Sequence, residues 1–150
     1  MERDDSRIIM ADLPESVRIR LADECFRRRN PAEVENAFLR LLINPPELLL
    51  AFYLNFQGPF GSRRTGFELL DLFEQKENVQ TVTLVCREEF NFPVEALALT
   101  DLNANAILVY NTRLDQVFNV DFEGGDIEFL AGKLKPQWNS FAEFLQYYFS

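Results

Sequence analysis

Residues 95–130 read EALALTDLNANAILVYNTRLDQVFNVDFEGGDIEFL, and the fold turns on this stretch. Ala106-Ile107-Leu108-Val109-Tyr110 is an unbroken apolar run. Phe118, Val120 and Phe122 then alternate with Asn119, Asp121 and Glu123, and a period of two puts each set on its own face of a strand. Gly124-Gly125 is a turn signal, after which Ile127 and Phe129 alternate with Asp126 and Glu128. The pattern predicts strands over 95–100, 106–110, 118–122 and 126–129. Together they make an antiparallel meander with one wet face and one apolar face.

Toward the C-terminus, Ser140 and Glu143 have capping-box spacing, followed by the stripe Phe141, Phe144, Leu145, Tyr148 and Phe149. A helix so rich in aromatic residues needs a large apolar surface, and the apolar face of the sheet is the expected partner. Toward the N-terminus, Val82, Leu84 and Cys86 alternate with Thr81 and Thr83, which predicts another strand starting at Val79. Leu69, Leu70 and Phe73 favour a short helix within 67–77. Residues 57–66, QGPFGSRRTG, hold three glycines and a proline without periodicity and read as a loop.

Three amphipathic helices precede that loop. Val17, Leu21 and Cys25 recur every four residues after Pro14. That helix is expected to end near Arg27-Arg28-Arg29, whose charges suit a C-terminal dipole. Asn30-Pro31 starts the next, with Val34, Ala37, Phe38, Leu41 and Leu42 on one face. Asn44-Pro45 starts the third, with Leu48, Leu49, Phe52, Tyr53 and Phe56. No internal repeat or low-complexity linker divides the chain. One α+β domain over residues 1–150 is expected, with helices packed on an antiparallel sheet. Residues 1–43 form its helical extension, whose amphipathic helices favour packing on the core.

The composition narrows the function. The chain has 150 residues, 24 acidic against 15 basic side chains, and a formal net charge of −9. The excess is uneven: residues 1–44 hold nine acids and eight bases, the remainder fifteen and seven. Such a surface repels nucleic acid and anionic lipid and speeds encounter with basic proteins. The longest purely apolar run, 48–54, is far short of the roughly 20 residues of a membrane span. The first twelve residues lack the apolar core of a secretory signal, so a cytoplasmic location is expected.

Chemistry is hard to find in the sequence. There is no histidine, which removes the commonest general base and zinc ligand. Cys25 and Cys86 both stand among apolar neighbours and read as buried, reduced thiols, with no CxxC pair. The loop containing Arg63 and Arg64 lacks phosphate-loop spacing and reads as structural or partner-contacting. Asp121, Glu123, Asp126 and Glu128 lack the register of a calcium loop and read as solvated. No catalytic residue, cofactor site or metal site is expected, and the chain is not expected to be an enzyme.

The order of segments nevertheless resembles a known family. A helix starting Asn44-Pro45-Pro46-Glu47 runs through Phe52-Tyr53 into the turn Phe56-Gln57-Gly58. Phe90-Asn91-Phe92-Pro93, Ile107-Leu108-Val109-Tyr110 and Gln116-Val117-Phe118 follow. The chain ends on Trp138-Asn139-Ser140-Phe141-Ala142-Glu143-Phe144-Leu145. Over residues 44–149 this resembles the SUKH superfamily, which groups Smi/Knr-type cell-wall regulators with bacterial immunity proteins. Gln57-Gly58-Pro59 stands where members commonly have Asn-Gly. The resemblance implies a noncatalytic α+β domain that neutralises a cognate toxin by binding it.

Toxins of such systems are often nucleases with basic clefts, to which a chain of this charge is matched. The expected contact uses Asp121, Glu123, Asp126 and Glu128, flanked by Phe60 and Arg63. A regulatory or scaffold domain without a toxin is the alternative, and a ligand site at Arg63 and Arg64 is a third reading. Homodimerisation and the identity of the toxin stay open.

Overall fold

The computed structural model describes residues 13–150. The expectation about a secretory core falls on residues 1–12, outside the described residues. The chain is α+β: six α-helices among the described residues and one three-stranded antiparallel sheet.

Helix α1 (Glu15–Arg20) is shorter than its apolar stripe suggests. Asp23 interrupts it, accepting the Cys25 N–H and starting a separate 3₁₀ turn over Glu24–Phe26. Beyond that turn the backbone is extended and pairs with the end of the third helix: the Arg28 N–H donates to the Asn55 carbonyl and the Gln57 N–H to the Phe26 carbonyl. The three arginines therefore do not close a helix. Cys25 is exposed rather than buried, whereas Cys86 is buried as expected.

A 3₁₀ turn over Pro31–Glu33 leads into α2 (Val34–Arg40), and α3 spans Glu47–Asn55. Val34, Ala37, Phe38, Leu41, Leu49, Phe52, Tyr53 and Phe56 are buried as the stripes require, but Leu42 lies past the end of α2 at φ 60° and is 77 % exposed, and α3 begins at Glu47 after Pro46 rather than at Asn44-Pro45. Leu13, Val17, Leu21, Val34 and Phe38 all lie in the same buried cluster as the sheet residues.

Residues 67–77 hold no helix; they bend past the sheet edge, where the Leu70 N–H donates to the Leu99 carbonyl. Leu69, Leu70 and Leu72 are all buried, so this segment needs contact on every side, which a surface helix does not give.

The largest correction concerns residues 79–90. They form α4 (Val79–Phe90), not a strand. Asn78 and Thr81 make a reciprocal capping box, each side chain accepting the other's backbone N–H. The buried residues are Val79, Val82, Thr83 and Cys86, at positions i, i+3, i+4 and i+7 of a helical stripe. Asn91 closes the helix in the left-handed conformation at φ 59°. Capping and a matching apolar stripe outweigh the β-propensity of the valines and threonines.

Strands β1 (Ala96–Ala98), β2 (Ala106–Asn111) and β3 (Gln116–Asp121) follow in sheet order, with Ala98 opposite Val109 and Val109 opposite Phe118. The expected fourth strand is absent. Residues 125–130 form helix α5 (Gly125–Leu130). The sheet also lacks the expected wet face: every residue from Ile107 to Asn111 is buried, and only β3 keeps an exposed alternate in Asn119 and Asp121.

Both faces are covered. On the face carrying Ile107, Val109, Phe118 and Val120 lie α4 and α5, with Phe118 against Phe129 at 5.2 Å and Phe90 against Phe122 at 4.5 Å. On the other face lies α6 (Phe141–Tyr148), with Tyr110 against Phe141 at 4.9 Å. The C-terminal helix thus covers Tyr110 and Val117 rather than the Phe118 and Val120 face. Half of the expected capping box forms, Ser140 Oγ accepting the Glu143 N–H at 3.0 Å, whereas Glu143 Oε1 accepts the Asn139 N–H at 3.4 Å instead of that of Ser140.

Candidate partner-binding surface

The four expected acidic residues are built onto the β3–α5 connection, and their roles differ. Asp121 ends β3, and its Oδ1 accepts the N–H groups of Glu123 at 2.9 Å and Gly125 at 3.0 Å. These bonds hold its carboxyl below the usual aspartate range. They also explain why the chain turns into a helix here: the carboxylate satisfies the first amide of α5. A Cβ at Gly125 would lie 2.6 Å from Asp121 Oδ2, so the small residue permits this close approach.

Asp126 and Glu128 stand in the first turn of α5, where acidic side chains suit the helix dipole. Glu123 is exposed and accepts a hydrogen bond from Asn105 Nδ2 at 3.3 Å. The connection therefore presents Glu123 and Glu128 to solvent while Asp121 works partly as a structural cap.

Phe60 is not on this surface. It is fully buried, within 5.1 Å of Phe52 and 6.2 Å of Phe149 by ring centroids. Its loop packs against the C-terminal helix: the Tyr148 hydroxyl accepts the Leu69 N–H and lies 2.8 Å from the Phe60 carbonyl. Burial pushes the Tyr148 hydroxyl up to about 12. Ser62 Oγ donates to the Tyr148 carbonyl, and Arg64 Nε to Ser150 Oγ. Arg64 is thereby occupied, and Arg63 is the exposed arginine of the pair that makes no hydrogen bond among the described residues. Of residues 57–66 only Phe60 is buried, and it pins an otherwise half-buried or exposed loop to the core.

Sequence reasoning missed two arrangements. One is structural: Arg28 and Asp71 form a buried ion pair that ties the N-terminal segment to the stretch 67–77 beyond the loop. The other is a surface feature. Phe122, between the acids of the turn, lines an open groove of about 520 Å³ beside α4, together with Val82, Val85, Cys86, Leu102 and Ile107. Burial pushes the Cys86 thiol at its floor up to about 11, so it is a neutral apolar group. The sequence carried one signal for this groove: on a helical reading of 79–90, Val85 falls off the buried stripe.

Among the described residues, no group of three or more acidic or cysteine side chains is placed to hold a metal ion, and no helix is long and apolar enough to cross a membrane. No family model matches the chain, and no curated protein matches it.

Proposed function

We propose that this chain is a noncatalytic protein-binding domain that acts in the cytoplasm by covering the active face of a basic toxin domain, as the SUKH resemblance implies. The observation that carries the reading is the acidic β3–α5 connection: Glu123 and Glu128 are exposed there on a chain of formal net charge −9. An anionic patch on a rigid scaffold speeds encounter with a cationic cleft and opposes nucleic acid as a direct ligand. The α+β architecture with an antiparallel sheet and a capped C-terminal aromatic helix is compatible with the family.

The test is co-expression with the product of the open reading frame beside this gene. Growth arrest by that product, relieved by this chain through a stable complex, supports the reading. Arrest that persists despite soluble chain refutes it and leaves the scaffold reading. Within such a complex, replacing Glu123 and Asp126 by Lys should slow association at low salt, with the difference shrinking as ionic strength rises. Equal association rates at low salt would remove this turn from the contact.

A further inference from the structure

The groove beside α4 does not end at its apolar wall. Lys76, Glu77, Asp101 and Leu102 line it and also line a second, adjoining hollow that contains Glu68 and Glu74. The two hollows thus share a wall of four residues, with an apolar lining on the α4 side and an acidic lining on the other. Among the described residues, Lys76 is the only basic side chain lining either. Val85 and Leu102 are each 49 % exposed on the rim of the groove, although they stand next to buried core.

We propose that the adjoining hollows dock a protein segment that carries aliphatic side chains next to lysine or arginine. The aliphatic groups would cover Val85, Leu102 and Phe122, and the cation would sit between Glu77 and Asp101. The argument for this occupant is charge complementarity. Glu68, Glu74, Glu77 and Asp101 line the acidic end against the single cation Lys76, so carboxylates are crowded there, and the interaction with Asp101 holds the Glu77 carboxyl above its usual range. A cation placed between them relieves that repulsion, whereas another carboxylate worsens it.

The same charge disfavours the other occupants. A second copy of a −9 chain, an anionic membrane and a nucleic acid all meet repulsion at the acidic end. Phe122 joins the groove to the acidic turn at Asp121 and Glu123, so one partner can cover both. The inference rests only on the reading that the chain binds a protein; it holds for a toxin and for a scaffold client alike.

The test uses the full chain and a fluorescent helical peptide of leucine and lysine, read by anisotropy. Counterparts carry serine for leucine or glutamate for lysine. The leucine–lysine peptide should bind, and each counterpart about tenfold or more weakly, as expected when one component is removed. The paired variants V85S/L102S and E77K/D101K should each lose about tenfold. E33K/E35K has the same net charge as E77K/D101K but lies outside both hollows, and should stay within about twofold.

Failure of the peptide to bind, equal binding by V85S/L102S, or an equal loss in E33K/E35K would overturn the proposal. A toxin complex that forms while this peptide test fails sinks the groove alone. Peptide binding without any toxin sinks only the toxin reading.

Discussion

Arg28 directs all five of its N–H groups to protein acceptors. Nε donates to the Tyr53 carbonyl, Nη1 to Asn30 Oδ1 and Asp71 Oδ2, and Nη2 to the Phe56 carbonyl and Asp71 Oδ1. The guanidinium also lies 5.3 Å from the Phe73 ring centre. Both charged side chains are almost fully enclosed, with Arg28 and Asp71 each 6 % exposed. Only a planar five-donor fork completes this set; lysine has three donors and cannot. Arg28→Ala strands a buried carboxylate and should cost about 3–5 kcal/mol in urea unfolding. Arg28→Met combined with Asp71→Leu removes both charges together and should recover much of that loss. A double variant no more stable than Arg28→Ala would show that the carbonyl contacts, rather than the ion pair, carry the effect. Nothing in the triplet Arg27-Arg28-Arg29 distinguishes the buried member, because its acceptors are carbonyls brought over from α3 and a carboxylate beyond the loop.

Among elements, α4 shows most clearly what local pattern leaves undecided. VQTVTLVC satisfies both periods: Val82, Leu84 and Cys86 alternate, while Val79, Val82, Thr83 and Cys86 trace a helix. The deciding residues are Asn78 and Thr81, whose reciprocal cap needs the helix to exist. Asn78→Ala also loses the bond from Asn78 Nδ2 to the Glu74 carbonyl and should cost about 1–2 kcal/mol by denaturant unfolding. Thr83 Oγ1 accepts the Ala98 N–H at 2.9 Å, pinning α4 to β1. Thr83→Val leaves that buried amide unpaired and should cost about 1–3 kcal/mol, and equal stability of the variant would contradict the assignment. The strands β2 and β3 and the helices α2, α3 and α6 are legible from their periodic stripes, although α3 begins at Glu47 rather than at Asn44-Pro45 and Leu42 falls outside the buried face of α2. Residues 125–130 are not: DIEF alternates like a strand, but the Asp121 carboxylate four residues upstream supplies the first amide of a helix. The acidic turn is legible as exposed charge at Asp121, Glu123 and Glu128, whereas the burial of Phe60 is not legible, because a glycine-rich loop gives no sign that Tyr148 ties it down.

At the scale of the whole molecule, the excess of acids makes folding sensitive to pH in a direction that can be worked out. Burial, acting first, raises the Glu74 carboxyl, and the hydrogen bond with Asp101 raises Glu77. For both, the native state holds a proton more tightly than the unfolded chain does. The cost of ionising them is therefore relieved as pH falls into the window just above the ordinary glutamate value of about 4.3. Asp23 and Asp121 act oppositely. Backbone N–H groups lower their carboxyls, so their contribution is present above the ordinary aspartate value of about 3.9 and is lost as pH falls through their lowered native values. Repulsion among the excess acids weakens in the same direction as the glutamate effect. Stability should thus climb as pH is lowered from about 8 to about 5 and turn over below about 4. Calorimetric Tm values across that range check it, and Glu77→Gln, which cannot ionise, should flatten the climb. High salt should flatten the part due to surface repulsion and leave the part due to Glu74 burial, since screening acts mainly on exposed charge. A Tm that falls steadily from pH 8 to 5 would mean that lowered carboxylates outweigh raised ones, and that the crowded acids around Glu77 and Asp101 are less strained than their positions require.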